Sequence, residues 1–166
     1  VPQDTVMFND TIAHNILYPD INRKLDLHPI IEQVELDALI HSLPDGLDTI
    51  VGERGLKLSG GERQRLAIAR MLTRNPKIMV FDEATSALDL KTEKKIQQCL
   101  ERICQQHTTL IIAHRLSTIK HADNIIVLDH GRIVEQGTHQ ALLAKKGSYY
   151  QLLKQQNDHD KQKGDH

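Results

Sequence analysis

The sequence predicts an α/β fold, because short apolar runs of strand length alternate with longer stretches of helical periodicity. Residues 78–81, Ile-Met-Val-Phe, form one such run, and residues 109–113, Thr-Leu-Ile-Ile-Ala, form another. Continuous apolar runs of this length suit strands of a parallel sheet that is buried on both faces. Between them, residues 91–106 have the periodicity of a helix, and its apolar stripe consists of Ile96, Leu100 and Ile103.

Composition excludes several classes of protein. The 166 residues include 21 basic and 22 acidic side chains, which argues against a general nucleic-acid or polyanion binder. The length suits one domain with its own core, and no apolar run approaches membrane-spanning length. Cys99 and Cys104 fall on different faces of a helix, so we predict reduced thiols of a cytosolic protein. Scattered histidines without a ligand partner are predicted to lie at the surface: His107, His121, His130 and His139.

The stretch from Leu58 to Asp89 contains two sequence features that are suited to binding phosphate groups or their cations. Ser59 is followed three residues later by Glu62, which is the capping-box pattern of a helix start. The first turn of such a helix, here at Gly60 and Gly61, exposes backbone N–H groups that bind anions. A capping box alone usually marks only a helix start, so the pattern needs support from its neighbours.

That support comes from the strand that follows. Asp82 and Glu83 stand at the carboxyl end of residues 78–81, and two adjacent carboxylates are costly there unless a cation or a proton-transfer task uses them. Such a pair often belongs to a solvated loop. Its occurrence after the capping box and before Ser86-Ala87-Leu88-Asp89 favours a functional interpretation.

In this order the motifs resemble the nucleotide-binding domain of ABC transporters. LSGGE matches the family signature, IMVFDE the Walker B strand with its following glutamate, and SALD the D-loop. VPQ, with Gln3, matches the start of the Q-loop, and IIAHRLST, with His114, matches the switch histidine. On sequence alone Gln3 is an ordinary loop residue and a lone histidine after a strand is usually structural. The first sixteen residues resemble exporters, especially mitochondrial iron–sulphur and heavy-metal-tolerance half-transporters.

The resemblance implies a P-loop NTPase (ABC ATPase) core, truncated at the N-terminus, with a helical subdomain. Residues 1–9 would form the Q-loop segment, and residues 10–74 the helical subdomain that ends in the signature helix. Residues 75–155 would form a RecA-like portion of the core. Residues 156–166 are polar and charged, and we expect a disordered tail.

Local signals predict the remaining helices of the first part. A short helix covers residues 11–17, and a second runs from Pro29 to about His41 on an apolar face of three-to-four spacing. Residues 42–46, Ser-Leu-Pro-Asp-Gly, form a turn. The signature helix buries Leu66, Ala69 and Leu72 and ends at Asn75-Pro76. Its arginines are assigned no chemistry: Arg63, Arg65 and Arg70.

The last part of the chain is predicted to form a hairpin and two helices. Residues 124–128 and 132–136 are strands about the turn Asp129-His130-Gly131. Thr138 caps a helix that runs through Ala144, and residues 149–155 form one or two final helical turns.

The resemblance implies ATP hydrolysis coupled to transport, with ATP and Mg²⁺ as cofactors. Asp82 would hold Mg²⁺ through water, and Glu83 would orient the attacking water or accept its proton. His114 and Gln3 would bracket the terminal phosphate, and Gln3 would also touch Mg²⁺.

The same resemblance implies two protein partners at the cytoplasmic face of a membrane, which is the inner membrane in a bacterium. One is a second ABC ATPase domain, identical or different, whose ATP is covered by the signature residues. These residues are Ser59, Gly60, Gly61 and Glu62, and Asp89 reaches the same interface. The other partner is the transmembrane domain of an exporter. Nucleic acid is not expected as a partner.

The phosphate-binding pattern G-x-x-x-x-G-K-[ST] is missing, because no glycine in the sequence is followed by lysine. The chain begins with Val1 rather than methionine, which indicates a fragment or an alternative start codon. We therefore expect this polypeptide alone to be inactive. In the family the P-loop strand lies beside the strand that ends at His114, so its absence is expected to expose backbone edges.

Two alternatives remain open at this point. The chain is either part of a catalytic exporter domain or a non-catalytic partner that supplies its signature motif to an intact ABC ATPase. A soluble relative that works on DNA or the ribosome is the third class. Three features argue against this class: the residues of the Q-loop segment, the balanced charge, and the absence of a long coiled coil or DNA-binding insert from the sequence.

Overall fold

The computed structural model describes most of the chain, in two compact units, Val1–Ile112 and Ala113–His166. The described residues are 1–2, 5–18, 20, 22–53, 55–82, 90–113 and 116–163. In the first unit the helices are α1 (Ile12–Leu17), α2 (His28–Gln33), α3 (Asp37–Ser42), α4 (Gly60–Leu72) and α5 (Leu90–Cys104). Its strands are β1 (Asp10–Thr11), β2 (Ile50–Val51), β3 (Ile78–Asp82) and β4 (Thr108–Ile112), and a 3₁₀ turn spans Gly46–Asp48.

The long helix predicted from Pro29 to about His41 is wrong, because two short helices replace it. Glu35 has a φ of 56°, in the left-handed region, and it separates α2 from α3. The break turns both Val34 and Leu36 into the core, where each is 0% exposed. A continuous helix would place residues two positions apart on different faces. Burial of both side chains therefore outweighs the strained backbone at Glu35.

β3 and β4 form a parallel pair in which Ile78 faces Thr108 and Asp82 faces Ile112. The face of β3 that contains Met79 and Phe81 is buried against the core that α4 and α5 share. The opposite face is exposed: Ile78, Val80, Leu110 and Ile112 are 66, 44, 55 and 49% exposed. The prediction that these strands are buried on both faces is therefore wrong for this chain. Parallel sheets are normally covered by helices on both faces, and no described element of the first unit covers this one.

Val1 lies along the other edge of β3. Its terminal amine donates to the Val80 carbonyl at 2.6 Å, and the Asp82 N–H donates to the Val1 carbonyl at 3.0 Å. These two bonds have the pattern of a parallel strand pair. β4, by contrast, pairs with β3 alone among the described strands.

The second unit has its own small core. β5 (Ile125–Asp129) and β6 (Arg132–Gly137) form the predicted antiparallel hairpin, and its turn residues His130 and Gly131 both have positive φ. A two-residue turn with this backbone matches the twist of the strands. α6 (His139–Lys145) and α7 (Ser148–Lys163) follow, with a 3₁₀ turn earlier at Leu116–Ile119. The core consists of Leu116, Ile125, Val127, Leu142 and Tyr149.

The predicted disorder of residues 156–166 is wrong for residues 156–163, which continue α7 as helix. Residues 164–166 lie outside the described part. Glutamine and lysine are good helix formers, and a helix that is already nucleated extends by one hydrogen bond per residue. The turn around Tyr149, which is 0% exposed and packed in the core of the second unit, nucleates this helix. Among the described helices, none has the length and hydropathy needed to cross a bilayer.

The two cysteines are free thiols, as the sequence predicts. Cys99 is fully buried on α5, and its Sγ lies 3.3 Å from the Gln33 carbonyl to which it donates. Burial raises the pKa of the Cys99 thiol to about 11, and burial also raises the pKa of the partly buried Cys104.

A thiol-alkylating reagent at pH 8 is therefore expected to modify Cys104 long before Cys99 in the folded chain. With a pKa of about 11, on the order of one Cys99 in a thousand is thiolate at that pH. Peptide mass spectrometry of timed samples measures both rates. In denaturant the two rates should become equal, and faster labelling of Cys99 in the native protein would contradict the structure.

Candidate functional site

The start of α4 has the complete capping box that the sequence predicts. Ser59 is the N-cap residue, with extended backbone. Its Oγ accepts a hydrogen bond from the Glu62 N–H at 3.3 Å, and Glu62 Oε2 accepts one from the Ser59 N–H at 2.7 Å. The N–H groups of Gly60 and Gly61 have no acceptor among the described residues. The first turn of α4 therefore keeps donors available to an anion.

The residues that lead into α4 are fixed by close contacts with the rest of the first unit. Leu58 is buried, and its carbonyl accepts a hydrogen bond from Arg63 Nη1 at 2.7 Å. Further back, a Cβ at Gly55 would lie 2.3 Å from the Ile50 carbonyl oxygen, so only glycine fits that close approach. These contacts fix how the chain enters α4, and with it the direction of the first-turn N–H groups.

α4 itself is anchored by its core face. Leu66 and Ala69 are 0% exposed, as predicted, and Leu72 is partly buried. A helix of 13 residues aligned in this way has the positive end of its dipole at Ser59. Ser59 is exposed and Gly60 is half-buried, whereas Gly61 is buried. The arrangement can bind a phosphate-like anion at the exposed end of the helix.

Glu62 has the capping role that the sequence predicts. Its carboxylate accepts the Ser59 N–H and so holds the helix start. Its contact with a nucleotide stays a prediction.

Asp82 ends β3 with an exposed side chain. The carboxyl end of a parallel strand is where ligands of open α/β sheets bind. The described residues contain no group of three or more histidine, cysteine or acidic side chains that could hold a metal ion. A single carboxylate still suits Mg²⁺, which keeps most of its water ligands and binds through one or two carboxylates.

The other predicted site residues lie outside the described residues: Gln3, Glu83, Asp89 and His114. Their convergence with Ser59 and Asp82 therefore stays a prediction. The described structure supplies two pieces of the predicted site, both in the first unit, which are the start of α4 and the end of β3.

Arg70, for which the sequence predicts no chemistry, makes several contacts in the structure. This side chain is half-buried and donates to the Asn15 and Val6 carbonyls at 2.7 and 3.2 Å. An arginine on a helix whose core face is strongly apolar usually faces solvent, so the position of Arg70 itself gives no sign of these contacts. Asn15 is 1% exposed inside α1, and a polar residue on the apolar face of a helix was the available clue.

Comparison with known proteins identifies the family. A family model described as an ABC transporter matches residues 1–86, a little more than half of the chain. The chain belongs to the ABC transporter family. It is 53% identical over 164 residues to "ABC transporter ATM1" of Toxoplasma gondii, and the match covers 98% of this chain and 14% of that protein. It is 52% identical over 162 residues to "Heavy metal tolerance factor 1" of Caenorhabditis elegans, covering 94% and 20%.

A solved structure of a bacterial Atm1-family ABC exporter with ATP bound is also similar. The TM-score is 0.81 at 50% sequence identity, and the match covers 93% of this chain and 27% of that one. The prediction of an ABC ATPase with the P-loop NTPase fold, of exporter type, is thereby confirmed. The resemblance of the first sixteen residues to exporters of this group is likewise confirmed, because the relatives include proteins named ATM1 and heavy metal tolerance factor. The chain spans between 14 and 27% of the length of these three proteins.

Proposed function

We propose that this chain is part of the ATPase domain of an ABC exporter, in which ATP hydrolysis drives transport across a membrane. The observation that carries this proposal is the start of α4. There the signature residues form a capped helix whose first-turn N–H groups at Gly60 and Gly61 have no acceptor among the described residues. The identity of 50% to an exporter that binds ATP supports the same reading.

The residues have distinct roles in this proposal. Mg²⁺-bound ATP supplies the phosphoryl group, and catalysis consists mainly of placement and charge stabilisation. Ser59, Gly60 and Gly61 donate to the terminal phosphate of ATP held by a second ATPase domain. Asp82 holds Mg²⁺ through water, and Glu83 orients the attacking water and accepts its proton.

The remaining predicted residues complete the site. Gln3 and His114 bracket the terminal phosphate, and Gln3 also contacts Mg²⁺. Asp89 lies at the interface of the two domains, and Glu62 keeps the signature turn in shape through its bond to Ser59.

The partners follow from this assignment. A second ABC ATPase domain, identical or different, packs head to tail against this one, and a transmembrane domain docks on the pair at the cytoplasmic face of the membrane. In a bacterium this is the inner membrane, and the direction of transport is export. Residues 1–9 belong to the Q-loop, 10–74 to the helical subdomain and 75–155 to the RecA-like core.

A second candidate function rests on one observation. The signature helix is complete, with both hydrogen bonds of its capping box formed. A polypeptide with this helix suits a non-catalytic partner that lends its signature to an intact ABC ATPase. Adding the chain to a P-loop-bearing domain raises ATP hydrolysis only under this second candidate.

The proposed function is tested with Ser59→Ala in the complete exporter that carries these residues. Loss of the cap destabilises a helix by about 0.5–2 kcal/mol. Loss of a hydrogen bond to a charged phosphate, worth about 1.5–3 kcal/mol, is expected to lower kcat/KM for ATP by about tenfold or more. Steady-state Mg²⁺-dependent ATP hydrolysis and thermal unfolding are measured together.

Thr138→Ala is the matched control, because Thr138 caps α6 in the second unit through a bond to the Ala141 N–H. It should lose comparable stability and keep its ATP hydrolysis. Unchanged kcat/KM in Ser59→Ala, or an equal fall in both variants, would contradict the role given to the signature.

A further inference from the structure

The segment of residues 5–9 lacks regular secondary structure, yet side chains of α1 and α4 bind it through hydrogen bonds. Asn15 on α1 is 1% exposed, and its side chain makes two hydrogen bonds to the backbone of this segment. Its Oδ1 accepts the Phe8 N–H at 2.9 Å, and its Nδ2 donates to the Phe8 carbonyl at 3.0 Å. Both polar backbone groups of Phe8 are therefore satisfied by one side chain, as a neighbouring strand would satisfy them.

Arg70 on α4 extends this network. Its Nε donates to the Asn15 carbonyl at 2.7 Å, its Nη2 to Asn15 Oδ1 at 3.1 Å and its Nη1 to the Val6 carbonyl at 3.2 Å. The guanidinium also lies over the Phe8 ring, 5.3 Å from its centroid. Burial lowers the pKa of Arg70 from its ordinary value, but a guanidinium stays charged at neutral pH. One planar group thus links α4, α1 and the segment.

A second side chain of α4 reaches the start of the same segment. Gln64 is 5% exposed, and its Oε1 accepts a hydrogen bond from Thr5 Oγ1 at 3.1 Å. α4 therefore binds the segment at Thr5 through Gln64 and at Val6 through Arg70. Two positions earlier in the chain stands Gln3, and α4 begins next to Ser59.

On the basis of the proposed function, we infer that Arg70, with Asn15 and Gln64, is a positioning residue that couples the segment after Gln3 to the signature helix. The network makes residues 5–9 and α4 one rigid body. A shift of the segment that follows Gln3 is then transmitted to the phosphate-facing start of α4. The planar fork of arginine is needed because it serves three acceptors at fixed angles, which the single ammonium of lysine cannot do.

Arg70→Lys in the complete exporter tests this inference. Hydrogen–deuterium exchange of a peptide covering residues 5–9 is expected to become about tenfold faster or more, since charged hydrogen bonds are lost. Exchange in α4 should stay unchanged. The kcat for ATP hydrolysis should fall at least about fivefold, with KM for ATP within about twofold, because placement and not nucleotide binding is disturbed.

Arg74→Lys is the matched control, because Arg74 is exposed just after the end of α4. It should change neither exchange nor kcat. If Arg70→Lys fails to fold, Asn15→Asp replaces it. This variant keeps the acceptor oxygen and loses the Nδ2 donor to the Phe8, Asp10 and Thr11 carbonyls. Faster exchange of residues 5–9 and a lower kcat with nearly unchanged KM are expected again. Faster exchange throughout α4 would show a purely structural role and overturn the inference. An unchanged kcat with a loosened segment would also overturn it and would leave the proposed function standing. A wild-type exporter without ATP hydrolysis would overturn both.

Discussion

Glu83→Gln in the complete exporter is expected to lower kcat for ATP hydrolysis by about a hundred- to ten-thousand-fold, the usual contribution of a general base. Glutamine has the shape of glutamate but cannot accept a proton from the attacking water. ATP binding should persist, because the change removes no group proposed to bind the phosphates or Mg²⁺. Single-turnover hydrolysis, with nucleotide binding measured separately, distinguishes the two steps.

Glu32→Gln provides the control for this change. Glu32 is an exposed carboxylate on α2, and its loss should leave kcat unchanged. A Glu83→Gln exporter that retains turnover within about threefold of the wild type would remove Glu83 from the catalytic role. Loss of binding together with turnover would instead point to a structural role for the residue.

Features that depend on neighbouring residues were predicted from the sequence. The capping box at Ser59 involves bonds across three residues, so its pattern is sufficient. The hairpin turn at Gly131 is similar, because a glycine with positive φ is a local requirement. In both cases the physical cause lies inside the motif.

Features set by distant contacts were not predictable in this way. The break at Glu35 occurs because Val34 and Leu36 both reach the core, and helical periodicity contains no sign of it. The exposure of Ile78 depends on what covers the sheet, and the apolar run is the same whether or not a covering element is present. The same distinction applies to the candidate site. Local motifs predicted its residues, whereas the contacts of Arg70 join distant parts of the chain and are seen only in the structure.

The 166-residue polypeptide alone is expected to show no measurable ATP binding. A P-loop would supply a lysine and several backbone N–H groups, and each charge-assisted hydrogen bond contributes about 1.5–3 kcal/mol. Micromolar to millimolar ATP binding totals only about 4–8 kcal/mol. Losing three or four such bonds therefore removes the affinity almost entirely. Titration calorimetry with Mg²⁺-ATP should give only heats of dilution.

The interpretation of that titration depends on whether the isolated chain is monomeric or self-associated. The exposed apolar face of β3 and β4, with Ile78 66% and Leu110 55% exposed, favours self-association of the isolated chain. Sedimentation at the titration concentration must therefore show whether the chain is monomeric. An ABC ATPase domain that contains a P-loop serves as the positive control. A micromolar dissociation constant for the monomeric chain would show that the start of α4 and Asp82 suffice for the nucleotide, and that the division of the site between two domains is wrong.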